Sequence, residues 1–241
     1  MSTAPGIRIA GRAGIGGTPL FGPLALEIGA GQWTCLLGPS GVGKSTLLRV
    51  LAGLAGPVDF TGEIAVDGQT GIPLRPAYMA QDDLLFPWLD VLGNTLTGAR
   101  LRGETPDRAR ARTIIERTGL SGHVTKRPSE LSGGMRQRVA LARTLMEDRA
   151  VVLLDEPFSA LDAGTRAEMQ ELAAELLAGR TVLLVTHDPA EAARLGHRIA
   201  VMTPQGLTDV APPAGVPIRA FDDPEVLSCQ ARLLAQVRGG A

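Results

Sequence analysis

Nine consecutive residues, Gly38-Pro39-Ser40-Gly41-Val42-Gly43-Lys44-Ser45-Thr46, constrain this chain more than any other stretch. They match G-x-x-x-x-G-K-[ST] at every fixed position, the pattern of a loop that wraps phosphate groups. Ahead of the loop, Trp33, Thr34, Cys35, Leu36 and Leu37 suit a buried strand. Behind it, Thr46-Leu47-Leu48-Arg49-Val50-Leu51-Ala52-Gly53-Leu54 carries apolar side chains at roughly helical spacing, which predicts a helix over 46–54. A phosphate loop requires this strand-to-helix setting. Gly38, Gly41 and Gly43 let the backbone curl so that its N–H groups point inward, where the N-terminus of the helix adds positive partial charge. Lys44 is then placed to reach terminal phosphates, and Ser45 a magnesium ion.

A chain of 241 residues fits one substantial domain with a subsidiary lobe, and a hydrophobic fraction of 44% can fill its core. The 24 basic and 25 acidic residues leave a formal charge of −1, so no global field favours nucleic acid or an anionic membrane surface. No nucleic-acid partner is expected, and any link to a membrane must pass through a protein partner. Cys35 and Cys229 show neither CxxC spacing nor a histidine cluster, which argues against a metal or redox centre. The sequence shows no signal-peptide pattern and no long apolar run, so a cytosolic setting is expected.

Along the chain, residues 1–31 alternate short apolar runs with Gly and Pro, as small antiparallel strands do. Residues 62–68 read as a strand ending in an Asp67-Gly68 turn, and 77–81 as a strand whose end carries Gln81. From 82 to 149 the pattern is helical: Thr105 is placed to cap a helix with Pro106 and Asp107 in its first turn, ended by Gly119. A second helix begins after Ser132, with Met135, Val139, Ala142 and Met146 on one stripe. The apolar runs 151–154 and 181–186 look like parallel strands buried on both faces, with one helix between them. His187 falls at a strand's carboxyl end, and Asp188, Pro189 and Glu191 start a helix directly behind it. A hairpin turn at 203–206 and a final amphipathic segment from about Asp223 complete the chain.

The expected fold is therefore α/β: a P-loop NTPase core (1–81 and 150–241) with a mixed, mainly parallel sheet, an N-terminal antiparallel β layer and an inserted helical lobe (82–149). Two adjacent carboxylates, Asp155 and Glu156, end the run 151–154 and can divide two tasks. Asp155 is suited to the magnesium shell, while Glu156 can orient and polarise an attacking water. A second cradle, Leu131-Ser132-Gly133-Gly134-Met135-Arg136-Gln137-Arg138, opens a helix with a hydroxyl cap and two glycines. Either the lobe folds onto the first loop, or each cradle serves the nucleotide of a second copy, which is the more economical arrangement.

With these motifs in this order, the chain resembles an ATP-binding cassette (ABC) ATPase over nearly its full length. The resemblance implies a Walker A loop at 38–46, a Q-loop at Gln81, a signature sequence at 131–138, a Walker B strand at 151–156 and a switch histidine at His187. It also implies a D-loop at Ser159-Ala160-Leu161-Asp162. ATP and Mg2+ are the implied ligands. In the family two domains sandwich two ATP molecules head to tail, which implies a homodimer. Glu156, His187 and Gln81 would serve catalysis, with Ser45, Gln81 and Asp155 at the metal. Ser132, Gly133, Gly134, Gln137 and Asp162 would join the phosphate loop around nucleotide. The family stacks adenine on an aromatic side chain ahead of the P-loop, yet 12–18 contains none; Ile15 or Phe21 takes that place.

Apolar bulk follows the Q-loop in Leu84-Leu85-Phe86-Pro87-Trp88-Leu89, in a chain with only 3% aromatics, so 81–89 reads as a docking surface or as lobe core. The wording of this segment is similar to importers for nitrate, sulfonates, taurine and thiamine-related pyrimidines. That implies a membrane permease docked at Gln81 to Leu89, a solute-binding protein as indirect partner, and a place at the cytoplasmic face of a bacterial inner membrane. A soluble ABC protein of DNA repair or translation normally carries a coiled-coil insertion or tandem cassettes, and neither is present here. A small-molecule P-loop kinase would leave the signature, the D-loop and His187 without a purpose.

Overall fold

The computed structural model describes residues 4–239. The chain runs β1 (Ile7–Ile15), β2 (Thr18–Ile28), β3 (Trp33–Leu37), α1 (Lys44–Leu51), β4 (Asp59–Val66), β5 (Gln69–Thr70) and β6 (Ala77–Met79). Helices α2 (Val91–Thr95), α3 (Thr97–Leu101), α4 (Arg108–Arg117) and α5 (Gly133–Leu145) follow. Then come β7 (Val151–Asp155), α6 (Ala163–Leu176), β8 (Thr181–Val185), α7 (Pro189–Leu195), β9 (Arg198–Thr203), β10 (Gly206–Val210) and α8 (Pro224–Gly239). Packing divides the chain into two compact units. One holds the chain up to Pro76, Ala150–Asp155 and everything from Gly179; the other holds Ala77–Arg149 and Glu156–Ala178. The stretch expected as a helical lobe, 82–149, thus lies inside a larger unit that also takes β6 and α6.

The first unit contains an antiparallel sheet in the order β2-β1-β4-β5 and strands of a second sheet in the order β10-β9-β3-β8-β7. In the second sheet β3 lies parallel to both β8 and β9, with Cys35 opposite Leu184 on one side and Ile199 on the other. Every residue of β3, β7 and β8 is buried. That is why these strands read as unbroken apolar runs rather than alternating ones. Because the three run in one direction, the phosphate loop after β3, Asp155 at the end of β7 and His187 after β8 leave the sheet at the same edge. Ligands of such sheets gather at that edge.

In the antiparallel sheet one face is apolar: Ile9 pairs with Leu26 and Ile64, and Ala13 with Phe21 and Phe60. The strands are longer than the sequence pattern suggests, 9 residues for β1 and 11 for β2. Register shifts between Gly11 and Gly14 break their alternation and disguise their length.

The second unit packs Val91, Leu96, Ile115, Leu120 and Val139 into one cluster, with Leu85, Met135 and Met146 against it. The expected stripe on α5 is therefore its inward face. Two helix starts differ from expectation. Helix α4 is capped by Asp107, whose Oδ1 accepts the Arg110 N–H at 2.9 Å, and not by Thr105. Helix α1 spans 44–51 rather than 46–54: Gly43 is its N-cap and its carbonyl accepts the Leu47 N–H, so Lys44 and Ser45 occupy the first turn.

Candidate functional site

At the mouth of the first unit, the loop from Gly38 to Gly43 joins β3 to α1. Two of its glycines are obligatory for geometric reasons. Gly38 has φ +155°, and a Cβ there would sit 2.2 Å from the Met202 carbonyl oxygen. Gly43 has φ +107°, and a Cβ there would press on Phe21 at 3.0 Å. No side chain caps α1, so its first-turn N–H groups face the loop's concavity and create a seat for an anion. Pro39, Ser40, Gly41 and Val42 form the rim between these two points. Lys44 Nζ donates to the carbonyls of Gly38 at 2.7 Å and Pro39 at 2.8 Å, which draws the ammonium over the loop. Thr46 follows in the first turn.

In the first turn of α1, Ser45 Oγ donates to Asp155 Oδ1 at 3.0 Å. Asp155 is 1% exposed at the end of β7, so a buried carboxylate and a hydroxyl converge where the loop meets the sheet. His187 is exposed after β8. Its backbone is fixed by a relay in which Asp188 N–H donates to Thr186 Oγ1 at 3.0 Å, and that hydroxyl donates to Glu191 at 2.6 Å. Asp188 in turn caps α7 by accepting the Ala190 N–H at 2.9 Å. Glu191 therefore reaches the helix start through Thr186, a detour that a capping-box reading of the sequence does not contain.

Phe21 and Ile15 part company here. Phe21 is 6% exposed and packs beside Gly43, while Ile15 is 41% exposed next to the β1–β2 turn. Of the two, Ile15 is the side chain open to a ligand.

Within the second unit, Glu156 has φ +49°, a conformation that a glutamate adopts only when its surroundings impose it. Gln137 and Ser159 brace this turn, Ser159 Oγ donating to the Glu156 carbonyl at 3.0 Å. Gln137 Nε2 donates to the Glu156 carbonyl at 2.9 Å and to Ser159 Oγ at 3.3 Å, and its Oε1 accepts the Ala160 N–H at 2.8 Å. Expected at nucleotide, Gln137 is 6% exposed with both ends of its amide committed to the 156–160 turn. Gln81 is brought to Glu156, its Nε2 donating to Oε2 at 3.4 Å. Asp162 caps α6 through the Thr165 N–H at 3.1 Å, and this bond holds its carboxyl below the usual range.

Ser132 caps α5, its Oγ accepting the Met135 N–H at 3.2 Å. Gly133 is open to its surroundings, whereas Gly134 runs close to the Ala160 carbonyl, where a Cβ would stand at 3.1 Å. Arg136 anchors the same turn by donating to Asp83 at 2.9 Å and to the Leu131 carbonyl at 2.9 Å. Farther along, Trp88 is 66% exposed while Phe86 is half-buried against it, with ring centroids 5.3 Å apart. The sequence left this segment between docking surface and core; Trp88 faces outward. Its turn is built on Asn94, fully buried, which accepts the Phe86 N–H and donates to the carbonyls of Phe86, Leu89 and Asp90.

Comparison with known proteins adds an independent view. A family model described as ABC transporter matches residues 21–159. The aliphatic sulfonates import ATP-binding protein SsuB 1 of Rhodococcus jostii is 47% identical over 193 residues, covering 79% of this chain and 76% of that protein. The Fe(3+) ions import ATP-binding protein FbpC of Pseudomonas fluorescens is 41% identical over 220 residues, covering 87% of this chain and 60% of that protein. Among solved structures, a dimeric ATP-binding cassette in a post-hydrolysis state, bound to ADP and Pi, superposes with a TM-score of 0.75 at 27% identity, covering 89% of this chain and 100% of that one.

Proposed function

This chain belongs to the ABC transporter family, and from that premise we propose that it is the ATP-hydrolysing subunit of a bacterial importer, working as a homodimer beneath a separate membrane permease. The observation that carries the chemistry is the contact between Ser45 and Asp155, which ties the phosphate loop to the strand whose next residue is Glu156. A hydroxyl and a carboxylate 3.0 Å apart are hard oxygen donors of the kind Mg2+ selects, so these residues fit the ion. When bound, Mg2+ neutralises phosphate charge. Ser45 and Asp155 would hold it, and Gln81 is the remaining candidate ligand that the sequence resemblance offers.

The chain's own groups then divide the work. Backbone N–H groups of 38–46 and the Lys44 ammonium hold the phosphates in line, which supplies much of the catalysis in phosphoryl transfer. Glu156 accepts a hydrogen bond from the attacking water and polarises it. Gln81 orients the Glu156 carboxylate, His187 steadies the terminal phosphate, and Gln137 positions Glu156 without touching nucleotide. Ser132, Gly133, Gly134 and Asp162 are offered to the nucleotide of the second copy. Support for this pairing comes from the dimeric, ADP-bound relative among solved structures.

No helix among the described residues is long and apolar enough to cross a membrane, in keeping with transport through another subunit docked near Gln81 to Leu89. A solute-binding protein would meet that subunit and not this chain. The Rhodococcus relative, named for aliphatic sulfonates, supports a small solute of the sulfonate kind; nitrate and hydroxymethylpyrimidine are the alternatives that the sequence resemblance offers.

Glu156→Gln tests the assignment. The amide cannot take up charge from the water, so steady-state phosphate release should fall by at least ~100-fold while ATP binding persists and the chain accumulates as an ATP-bound dimer on gel filtration. Unchanged hydrolysis in the variant would refute the role of Glu156.

A further inference from the structure

His187 stands between two residues that are bonded to each other. The Asp188 N–H donates to Thr186 Oγ1 at 3.0 Å, which closes a tight turn around the histidine. The Thr186 hydroxyl donates in its turn to Glu191 Oε2 at 2.6 Å. On the other side, the Thr186 N–H donates to the Leu36 carbonyl at 3.1 Å. Leu36 lies in β3, two residues before Gly38 opens the phosphate loop. The backbone around His187 is thus referenced to the strand that delivers that loop, and the chain of bonds ends on a carboxylate.

Glu191 is 4% exposed, and a carboxylate is costly to bury unless its oxygens are bonded. The two ends of α7 are secured by other groups. Asp188 caps its start through the Ala190 N–H at 2.9 Å, and Pro189 occupies its first position. Its far end is held by Arg219, which donates to the carbonyls of Ala193 and Gly196, each at 2.9 Å. What Glu191 adds at Thr186 is direction: with the hydroxyl proton turned to the carboxylate, the oxygen presents a lone pair to the Asp188 N–H. The His187 side chain is exposed, so its aim depends on the backbone beneath it more than on close packing.

We infer that Glu191 is a positioning residue for hydrolysis: through the Thr186 hydroxyl it fixes the His187 backbone against β3, and so sets where the imidazole meets the terminal phosphate. The inference rests on the reading that His187 steadies that phosphate, and adds the group that aims it. Buried beneath the turn, Glu191 acts through His187 and not on nucleotide. Its effect is on geometry, and a small misplacement of a reacting group costs rate without costing affinity.

The test is ATP hydrolysis by the full-length chain, with kcat and KM from the steady state and single-turnover cleavage of labelled ATP to resolve slow variants. Thr186→Val keeps the shape and removes the hydroxyl, whereas Glu191→Asp keeps the charge and draws the carboxylate away from Thr186. Each should lower kcat about tenfold with KM for ATP within about twofold of wild type. Thr186→Ser, which retains the hydroxyl, should stay close to wild type. In a His187→Ala background neither change should lower the single-turnover rate further, because the group being aimed is gone. A purely structural role would lower the rate alike in both backgrounds, which overturns the proposal. Wild-type kcat in Thr186→Val and Glu191→Asp, or a rise in KM alone, also overturns it while leaving the role of His187 intact. Wild-type turnover in His187→Ala removes that role and the proposal together. Should the thermal midpoint show that Thr186→Val does not fold, Glu191→Asp carries the same comparison.

Discussion

His197 shows how one side chain ties acidity to stability. Its Nδ1 accepts the Trp33 N–H at 3.1 Å, and the backbone N–H of His197 donates back to the Trp33 carbonyl at 2.8 Å. The imidazole must be neutral to accept. Burial lowers its pKa first, and the nearby Arg219 guanidinium lowers it further. A depressed pKa means that the unfolded chain takes up the proton more readily than the folded one. The contribution is therefore complete above the ordinary histidine value of 6.5 and is lost as pH falls from there through the lower folded value. We expect the thermal midpoint to drop across that interval in the wild type, and the drop to be smaller in His197→Asn. Parallel pH profiles for the two proteins would show that His197 is not the titrating group. The proposed site residues are the other face of the residue scale: Gly38 to Thr46, Asp155 and Glu156 stand in contiguous motifs and so are legible as candidates, whereas His187 becomes a candidate only through the family resemblance.

Elements are where sequence reading loses resolution. The cap of α4 moved from Thr105 to Asp107 because both are good acceptors two residues apart, and only the Arg110 N–H decides between them. The sequence resemblance puts Gln137 at nucleotide and assigns nothing to Asn94 or Arg219, since each makes its bonds to backbone atoms that only folding brings near. Gln137 is tested through kinetics. Gln137→Ala removes three bonds to the 156–160 turn, so kcat should fall about tenfold with KM for ATP nearly unchanged, the mark of a group that acts through Glu156. A rise in KM alone would instead make Gln137 a nucleotide contact.

Arg219 does comparable work at the end of α7. It is 6% exposed and donates to the carbonyls of Ala193, Gly196, Ala214 and Gly215, while its own carbonyl accepts from Arg194. Truncation leaves those acceptors dry, so Arg219→Ala should cost about 2–4 kcal/mol in denaturant unfolding. A change below about 0.5 kcal/mol would mean that water replaces the guanidinium.

For the whole molecule, the proposed function requires two different nucleotide-facing surfaces, the loop at 38–46 and the start of α5 at Ser132. Mixing separates their roles. Ser132→Arg and Lys44→Ala chains should each be inactive alone, whereas an equimolar mixture should recover a measurable fraction of wild-type turnover, because one interface of the mixed dimer is intact. Inactivity of every mixture would exclude shared sites. The parallel order of β3, β7 and β8 was legible from their unbroken apolar runs. The length of β1 and β2 was not, because the bulge near Gly11 hides the alternation.

Burial of both cysteines has a practical consequence at the same scale. Cys35 and Cys229 are 0% exposed, so neither sulfur is open to reagents in solution, and burial also pushes the Cys35 thiol far above the ordinary range. The natural chain is already a silent background for thiol-directed probes. A single cysteine introduced at Ile15 or Trp88 would carry a fluorophore or spin label alone, so motion at either site can be followed during turnover without first rebuilding the core.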